Sequence, residues 1–230
     1  MTRLKTSADH TRAREAAARA VLEEIRDVRI LGVGTGRAVA AVLTLLDPHR
    51  CGIEAAVPSS EATRRLLIER GWTLVDPNTA GPLELYVDGA DEFDTEGRLI
   101  KGGGGALVRE KILASASRRF LVVAEEPKKV PLLGRFPIPV EVLPPARSLI
   151  ARHLVALGGT PVLREGFVSD NGNPILDVTG LPRTDPAELE RTIKLWPGVV
   201  DVGLCTLRRA DRIYVGRADG SVERIDPARG

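Results

Sequence analysis

The chain has 230 residues, of which 43% are hydrophobic and 28% charged, and its 33 basic and 31 acidic residues give a formal net charge of +2. This length is enough for one large or two small domains, and the composition is ordinary for a soluble globular protein. The near balance of charges gives no support for a nucleic-acid-binding or membrane-binding surface.

The sequence also lacks membrane, secretory and disulfide patterns. Apolar stretches such as residues 38–46 are too short and too interrupted to cross a bilayer, and the polar N-terminus is unlike a secretory signal. Two cysteines, Cys51 and Cys205, are too few for a disulfide framework, and the three histidines are scattered without metal-ligand spacing. We therefore expect a cytoplasmic protein with no structural metal and no nucleic-acid or membrane partner.

The first elements along the chain are a helix, a strand and a second helix. Apolar residues at helical spacing predict a helix over 11–25, followed by a strand over 28–31 and a helix over 37–46. The intervening GVGTG turn is typical of phosphate-binding turns in α/β sheets, although Arg37 stands where the dinucleotide fingerprint needs glycine. A tight strand-to-helix connection without a ligand is the alternative.

A second strand–helix unit follows. The pattern predicts strands over 53–57 and 73–75 and a helix over 61–70, with Ser60 as its N-cap. The polar group Ser59, Ser60 and Thr63 permits two interpretations: it caps the helix, or it contacts a ligand.

An acidic turn, Asp88-Gly89-Ala90-Asp91-Glu92, follows the predicted strand 83–87. Because ligands gather at the carboxyl ends of parallel strands, we expect this turn and the GVGTG turn to share one crevice.

Next come Lys101, four consecutive glycines and a predicted helix over 106–116 that carries Glu110. Four glycines weaken any helix or strand, but their N–H groups can approach a ligand closely, and the start of a helix favours negative charge. Lys101 adds a positive charge, while Asp88, Asp91 and Glu110 supply carboxylates for proton transfer. This combination suits an enediolate intermediate.

Less specific interpretations of the same residues exist. The glycines could form a flexible linker beside a solvated acidic turn, and Glu110 could be a surface partner of Arg109 or Lys111. After the predicted strand 118–124, Lys128 could point to a ligand or belong to a solvated charge cluster.

The second half of the chain predicts a β-α-β-β-α-β unit, the ferredoxin-like pattern. Its predicted elements are strand 138–143, helix 146–157, strands 161–169 and 174–178 around an Asp-Asn-Gly-Asn turn, helix 186–195 capped by Asp185, and strand 199–206. A hairpin of strands 212–215 and 221–225 closes the chain. The predicted fold class is α/β: a Rossmann-like, mostly parallel sheet domain (1–132 and 207–230) with an inserted smaller ferredoxin-like α+β domain (133–206).

Three motifs in order, DGADE at 88–92, KGGGGAL at 101–107 and REK at 109–111, closely resemble the type A ribose-5-phosphate isomerase family. The segments VEVLP, ARSLIARHL, SDNGNPILDV and PGVVDVGL extend the resemblance over nearly the whole chain. It implies interconversion of D-ribose 5-phosphate and D-ribulose 5-phosphate through an enediolate, as in the non-oxidative pentose phosphate pathway. It also implies no metal or organic cofactor, and a homodimer or homotetramer.

The resemblance also implies residue roles. Glu110 would be the base, Asp88 and Asp91 would assist ring opening, and Lys101 with the loop N–H groups would stabilise the enediolate oxygen. The implied substrate-binding residues are Thr35, Gly36, Arg37, Ala38, Asp88, Gly89, Ala90, Asp91, Lys101, Gly102, Gly103, Gly104 and Lys128.

One departure from the family concerns the phosphate end. Arg37 and Ala38 replace a serine and a threonine, so two hydroxyl donors are lost. The Arg37 guanidinium could bind the phosphate instead, or it could reshape the pocket for another phosphorylated sugar. A non-enzymatic sugar-phosphate sensor on the same fold is a further alternative, but it would need a partner surface or a DNA-binding segment that the sequence does not show.

Overall fold

The structure is a computed structural model that describes residues 6–228. Its elements, in chain order, are α1 (Ser7–Ile25), β1 (Ile30–Val33), α2 (Arg37–Thr44), β2 (Ala55–Pro58), α3 (Glu61–Glu69), β3 (Leu83–Asp88), β4 (Glu92–Phe93), β5 (Leu99–Ile100), α4 (Leu107–Ala116), β6 (Ser117–Glu125), β7 (Ile138–Val142), α5 (Arg147–Ala156), β8 (Thr160–Leu163), β9 (Ile175–Thr179), α6 (Pro186–Lys194), β10 (Val199–Val202), β11 (Leu204–Cys205), β12 (Arg212–Gly216) and β13 (Val222–Ile225). Among these described residues, no helix is long and apolar enough to span a membrane.

A six-stranded sheet in the order β13-β12-β6-β3-β1-β2 forms the larger layer, and β13 is its one antiparallel strand. Alternate residues of β3 face opposite sides: Leu85 packs in the core that α1 and α2 cover, whereas Tyr86 packs beneath α4 and stacks on Phe120. Both faces are therefore buried, as expected for parallel strands flanked by helices. The predicted mostly parallel α/β sheet is confirmed.

The ferredoxin-like unit is a four-stranded antiparallel sheet in the order β10-β7-β9-β8. Ile150 and Leu154 of α5 and Ile193 of α6 pack with its strands in a separate apolar core. This agrees with the predicted β-α-β-β-α-β pattern. The division at 132/133 and 206/207 stays a prediction, and its outermost residues, 1–5 and 229–230, lie outside the described residues.

A third, three-stranded sheet in the order β11-β5-β4 was not predicted. The predicted strand 199–206 is wrong as one element, because the chain passes from the four-stranded sheet to this small sheet at Gly203. A side chain at Gly203 would meet the Lys101 carbonyl oxygen at 2.4 Å, so glycine is needed there. The Lys101 N–H in turn donates to the Gly203 carbonyl at 2.8 Å. The small sheet thereby fixes the backbone of Lys101.

Two other predicted strands need correction. Residues 73–75 form only an isolated bridge between Leu74 and Ala56. The predicted strand 161–169 ends at Leu163, because the chain then turns so that Phe167 fills the space beside Gly105. The predicted N-caps Ser60 and Asp185 are confirmed.

Lys111 joins α4 to the ferredoxin-like unit. Its Nζ donates to Glu190 Oε1 at 2.9 Å, to Asp201 Oδ1 at 2.7 Å, and to the carbonyl oxygens of Val202 and Leu204, each at 3.0 Å. Burial alone would lower the pKa of Lys111, but Asp201 and Glu190 outweigh it and raise the pKa.

We expect Lys111→Met to lower the free energy of unfolding by about 3–5 kcal/mol, because it leaves Glu190 buried without a cation and leaves Asp201 with Lys194 as its one remaining described cation. Arg191→Met is the matched control, since Arg191 forms an exposed pair with Glu188 at 3.6 Å. Urea denaturation measures both variants. Equal stability of the two would contradict the role given to Lys111.

Candidate active site

A cavity of about 210 Å³ lies at the carboxyl ends of β1, β3 and β6. Its lining residues are Thr35, Gly36, Arg37, Ala38, Gly89, Ala90, Asp91, Lys101, Gly102, Gly103, Gly104, Glu110, Glu125 and Lys128. Every residue predicted for the site lines this cavity except Asp88, which contacts the lining residue Lys101 from behind. Glu125 is an additional lining residue.

Asp88 lies beneath the cavity, fully buried at the end of β3. Its Oδ1 accepts hydrogen bonds from the N–H groups of Thr35 (3.0 Å) and Gly89 (2.7 Å). Its Oδ2 contacts Lys101 Nζ at 2.7 Å and accepts a hydrogen bond from the Tyr86 hydroxyl. Asp88 therefore anchors both turns and the lysine.

The glycine turn after β1 is shaped for this carboxylate. A side chain at Gly34 would come within 2.0 Å of Asp88 Oδ1, so only glycine allows the approach. Gly36 adopts φ +107° as the N-cap of α2, a conformation that glycine tolerates. The turn is more than a strand-to-helix connection, because it holds Asp88 and lines the cavity.

The Thr35 hydroxyl belongs to a cluster of four hydroxyl groups. It lies 2.9 Å from Ser59 Oγ, 2.8 Å from Ser60 Oγ and 3.2 Å from Thr63 Oγ1. Ser60 also caps α3 by accepting from the Thr63 N–H. All three partners are buried and do not line the cavity, so they support Thr35.

Lys101 is a buried cation, with 3% of its surface exposed. Its Nζ donates to the Gly89 carbonyl oxygen at 2.7 Å and lies 2.7 Å from Asp88 Oδ2 and 3.4 Å from Glu110 Oε2. Burial alone would lower the pKa of Lys101, but Asp88 and Glu110 outweigh it and raise the pKa above its ordinary value. The ammonium group therefore stays charged.

Glu110 is a buried carboxylate that lines the cavity, and its Oε2 has no hydrogen-bond partner among the described residues. Burial raises the pKa of Glu110 to about 8, Asp88 adds to the shift, and Lys101 opposes it. The surface-partner interpretation is wrong, because Arg109 pairs with Glu61 and Lys111 binds the ferredoxin-like unit. A poised carboxylate of this kind suits proton transfer near neutral pH.

The glycine loop approaches the acidic turn closely. The Gly103 N–H donates to Asp91 Oδ2 at 2.7 Å, and a side chain at Gly103 would meet Asp91 Oδ1 at 2.6 Å. The N–H groups of Gly102 and Gly104 have no acceptor within residues 6–228. The linker interpretation is wrong, and two of the three predicted loop N–H donors are free for a ligand.

Lys128 and Arg37 bring positive charge to one end of the cavity. The Lys128 Nζ donates to the Ala90 carbonyl oxygen at 2.6 Å. Burial lowers the pKa of Lys128, and Asp91 and Glu125 oppose the shift. The Arg37 side chain is exposed and makes no hydrogen bond or ion pair with another described residue. These two cations suit a phosphate.

Glu125 was missed as a site residue because its partners are far away in sequence. It ends β6, and its carboxylate contacts Arg14 Nε at 2.7 Å and His10 Nδ1 at 2.8 Å, both on α1. Burial alone would raise the pKa of Glu125, but the bonds to Arg14 and His10 outweigh it and lower the pKa. No local sequence signal joins α1 to this strand end.

Across residues 6–228, no group of three His, Cys, Asp or Glu side chains could hold a metal ion.

The fold and the cavity together are those of an α/β enzyme with a buried acid–base site and cations suited to a small anionic substrate. The sequence profile of the family described as ribose 5-phosphate isomerase A (phosphoriboisomerase A) matches residues 55–220. The chain belongs to this family.

Individual relatives agree over nearly the whole chain. Ribose-5-phosphate isomerase A of Stenotrophomonas maltophilia is 51% identical over 89% of this chain and 95% of the relative, and that of Acidithiobacillus ferrooxidans is 48% identical over 92% and 96%. The crystal structure of ribose 5-phosphate isomerase A from Neisseria gonorrhoeae superposes with a TM-score of 0.92 at 36% identity, covering 98% of this chain and 100% of that one. A D-ribose-5-phosphate isomerase in complex with phospho-erythronic acid superposes with a TM-score of 0.88 at 32% identity, covering 94% and 98%.

The raised pKa of Glu110 makes stability depend on pH. The folded chain holds this proton up to about pH 8, against an ordinary pKa of 4.5, so the stabilisation is fully present below about pH 4.5 and is lost as pH rises through 8. We expect Glu110→Gln, which cannot ionise, to melt a few degrees above the parent at pH 9 and to lose this advantage toward pH 5. Calorimetry at both pH values measures the shift. The exposed Glu69→Gln is the control, and a pH-independent difference for Glu110→Gln would contradict the assignment.

Proposed function

We propose that this chain interconverts D-ribose 5-phosphate and D-ribulose 5-phosphate, the reaction after which its family is named. The observation that carries the proposal is the buried Glu110, which lines the cavity beside Lys101 with a pKa of about 8. In the open-chain sugar, a base removes the proton from C2 and the electron pair moves to the carbonyl oxygen as an enediolate forms. The proton of the C2 hydroxyl then moves to the C1 oxygen, and return of the carbon-bound proton to C1 completes the isomerisation with a carbonyl group at C2.

Glu110 is the base of the proposed mechanism. Its unbonded Oε2 is free to accept the C2 proton, and the same carboxyl group can return that proton to C1. A base with a pKa near the working pH both takes and releases a proton readily. Because Glu110 is nearly buried, the proton stays shielded from solvent between the two steps.

Lys101 and the free N–H groups of Gly102 and Gly104 stabilise the enediolate oxygen. Preorganised donors in a site shielded from water each lower the barrier by roughly 3 kcal/mol. The Gly103 N–H already donates to Asp91, so its proposed role is to fix the conformation of the loop and not to bind the substrate. The ammonium group supplies the counter-charge that the developing oxyanion needs.

The two aspartates take different parts. Asp91 lines the cavity and is placed to move protons between sugar hydroxyls during ring opening. Asp88 is fully buried beneath the cavity, so its proposed role is to stabilise the charged form of Lys101 and to fix the turns that contain Thr35 and Gly89. This proposed part differs from the one that the family resemblance implies, in which Asp88 also contacts the sugar.

The phosphate binds at the opposite end, held by Thr35, Gly36, Arg37 and Lys128. Phospho-erythronic acid, the ligand of a structural neighbour, carries a phosphate at one end and a carboxylate in place of the reacting carbons. It is therefore a suitable probe of both ends of this cavity, because its carboxylate resembles the charge of the enediolate.

A related isomerase acting on another phosphorylated sugar is the second candidate. It is favoured by Arg37, whose exposed guanidinium has no hydrogen bond or ion pair in the described part of the chain. A free guanidinium at the phosphate end reaches farther than the hydroxyls it replaces, so a longer substrate would still be held.

We also propose a cytoplasmic homodimer or homotetramer. Large apolar side chains on the ferredoxin-like unit and its connections are exposed, among them Val162 (60%), Val168 (66%) and Leu195 (81%). Such side chains support an interface between copies of the chain. Light scattering during size-exclusion chromatography measures the assembly, and a monomer at micromolar concentration would contradict the proposal.

Glu110→Gln tests the base directly. We expect kcat for ribose 5-phosphate to fall by about three orders of magnitude, because the amide cannot take the C2 proton. The affinity for phospho-erythronic acid should change little, since the cavity keeps its shape. Turnover by coupled absorbance assay and inhibition constants measure the two effects. Near-normal turnover would contradict the assignment of Glu110.

The double variant Arg37→Ser/Ala38→Thr tests the substrate. With chelator-treated protein, we expect robust conversion of ribose 5-phosphate by the parent and a rise of about tenfold in KM for Arg37→Ser alone, because one charge-assisted phosphate contact is lost. An inactive parent with an active double variant would instead support the second candidate. Inactivity of both would contradict the proposed function.

A further inference from the structure

The connection between β8 and β9, residues 164–174, lies against the back of the glycine loop. Arg164 Nη1 donates to the Gly102 carbonyl oxygen at 3.1 Å and to the Gly103 carbonyl oxygen at 3.3 Å. Arg164 does not line the cavity. We propose that Arg164 is a positioning residue for catalysis, which orients the Gly104 N–H toward the enediolate and strengthens it as a donor. This inference rests on the proposed isomerase function.

Peptide geometry determines where the loop N–H groups point. Every described peptide bond is trans, so the C=O and N–H of one peptide unit point in opposite directions. Because the Gly103 carbonyl faces Arg164, the Gly104 N–H of the same unit faces away from Arg164, and Gly104 lines the cavity. That N–H has no acceptor in the described chain. The hydrogen bond from Arg164 to the Gly103 carbonyl thus orients the free Gly104 N–H toward the cavity.

The preceding peptide unit is held at both ends. Its carbonyl, from Gly102, accepts from Arg164, and its N–H, from Gly103, donates to Asp91. Together the two units form a strip of loop backbone fixed between a guanidinium on one side and a carboxylate on the other. The Gly105 N–H also donates to the Gly102 carbonyl at 2.9 Å and closes the turn from within. A run of glycines has no side chains to restrict its backbone further, so the contact with Arg164 adds a restraint that the turn lacks.

The charge of Arg164 adds an electronic effect. A guanidinium hydrogen-bonded to a carbonyl draws electron density toward that oxygen, which makes the N–H of the same peptide unit a stronger donor. The strengthened donor acts where the enediolate oxygen develops negative charge. The effect is larger for the enediolate than for the neutral substrate, so it should lower the barrier more than it tightens substrate binding.

Arg164 is itself rigidly placed. Its Nε and Nη2 bind the two carboxylate oxygens of Asp177 on β9, with the Nε contact at 2.8 Å. Its guanidinium lies 5.3 Å from the ring centre of Phe167, whose edge fills the space beside Gly105. A group held by a paired carboxylate and a ring keeps its orientation, as positioning requires.

Arg164→Ala tests the proposal in the full-length protein. We expect kcat for ribose 5-phosphate to fall about 10- to 100-fold, because the Gly104 N–H is no longer held in its orientation. KM should change less than about threefold, because the phosphate contacts remain. Phospho-erythronic acid should bind more weakly in proportion to the loss in kcat/KM. Added guanidinium ion should restore part of the activity, whereas methylammonium should not, since only the planar cation bridges two carbonyls.

Arg183→Ala is the matched control. Arg183 also donates to a loop carbonyl, that of Gly134, but in a loop away from the cavity. It should leave kcat and KM unchanged. Arg164→Lys keeps the charge with fewer donors, so its kcat should lie between those of the parent and Arg164→Ala. If the alanine variant fails to fold, Arg164→Lys tests the proposal in its place.

The outcomes distinguish a positioning role of Arg164 from a role in substrate binding and from failure of the proposed function. An unchanged kcat in Arg164→Ala, or an equal loss in Arg183→Ala, would overturn the positioning role while the parent remains active. A rise in KM with unchanged kcat would overturn it as well, because it would place Arg164 in ground-state binding. An inactive parent would overturn the proposed function and not this contact alone.

Discussion

The buried ammonium group of Lys101 is the interaction on which the site depends. A lone cation in the interior costs several kcal/mol, so the fold must surround it with partners. Asp88 at the end of β3, Glu110 on α4 and the Gly89 carbonyl supply them. The small sheet β11-β5-β4 fixes the lysine backbone from the other side. Three separate elements thereby converge on one charge, and the cavity lies directly above it.

Three carboxyl groups lie near the single ammonium group of Lys101, and this excess of acidic groups makes proton transfer at the site possible. Asp88 and Glu110 lie within contact of the ammonium group, and Asp91 raises the pKa of Glu110 from farther away. Asp88 is held by four donors, whereas Glu110 has one long contact with Lys101, and its burial raises the pKa of Glu110 to about 8. A carboxyl group that is easily protonated, beside a permanent cation and free N–H donors, can pass a proton between adjacent carbons and stabilise the anion formed on the way.

The sequence predicted most of this site because its residues stand at strand ends and in a glycine run, where local patterns have direct physical meaning. It could not reveal contacts set by chain folding: Glu125 meets Arg14 across 111 residues, and Arg164 meets Gly102 across 62. Strands of two residues, such as β4 and β5, have no periodicity to detect, so the small sheet was missed. The family resemblance implies a sugar contact for Asp88, but a sequence does not show burial, and the structure has this side chain fully buried and outside the cavity lining.

Titration of Glu110 by carbon-13 NMR tests the central claim most directly. Protein labelled at the glutamate carboxyl carbons would be followed from about pH 3 to 10, with Glu110→Gln identifying the resonance. The account predicts a resonance that titrates with a midpoint near the pKa of about 8 and is absent from the variant. A Glu110 midpoint near the ordinary value of 4.5 would contradict it, because the buried cluster would then not poise this carboxylate for proton transfer.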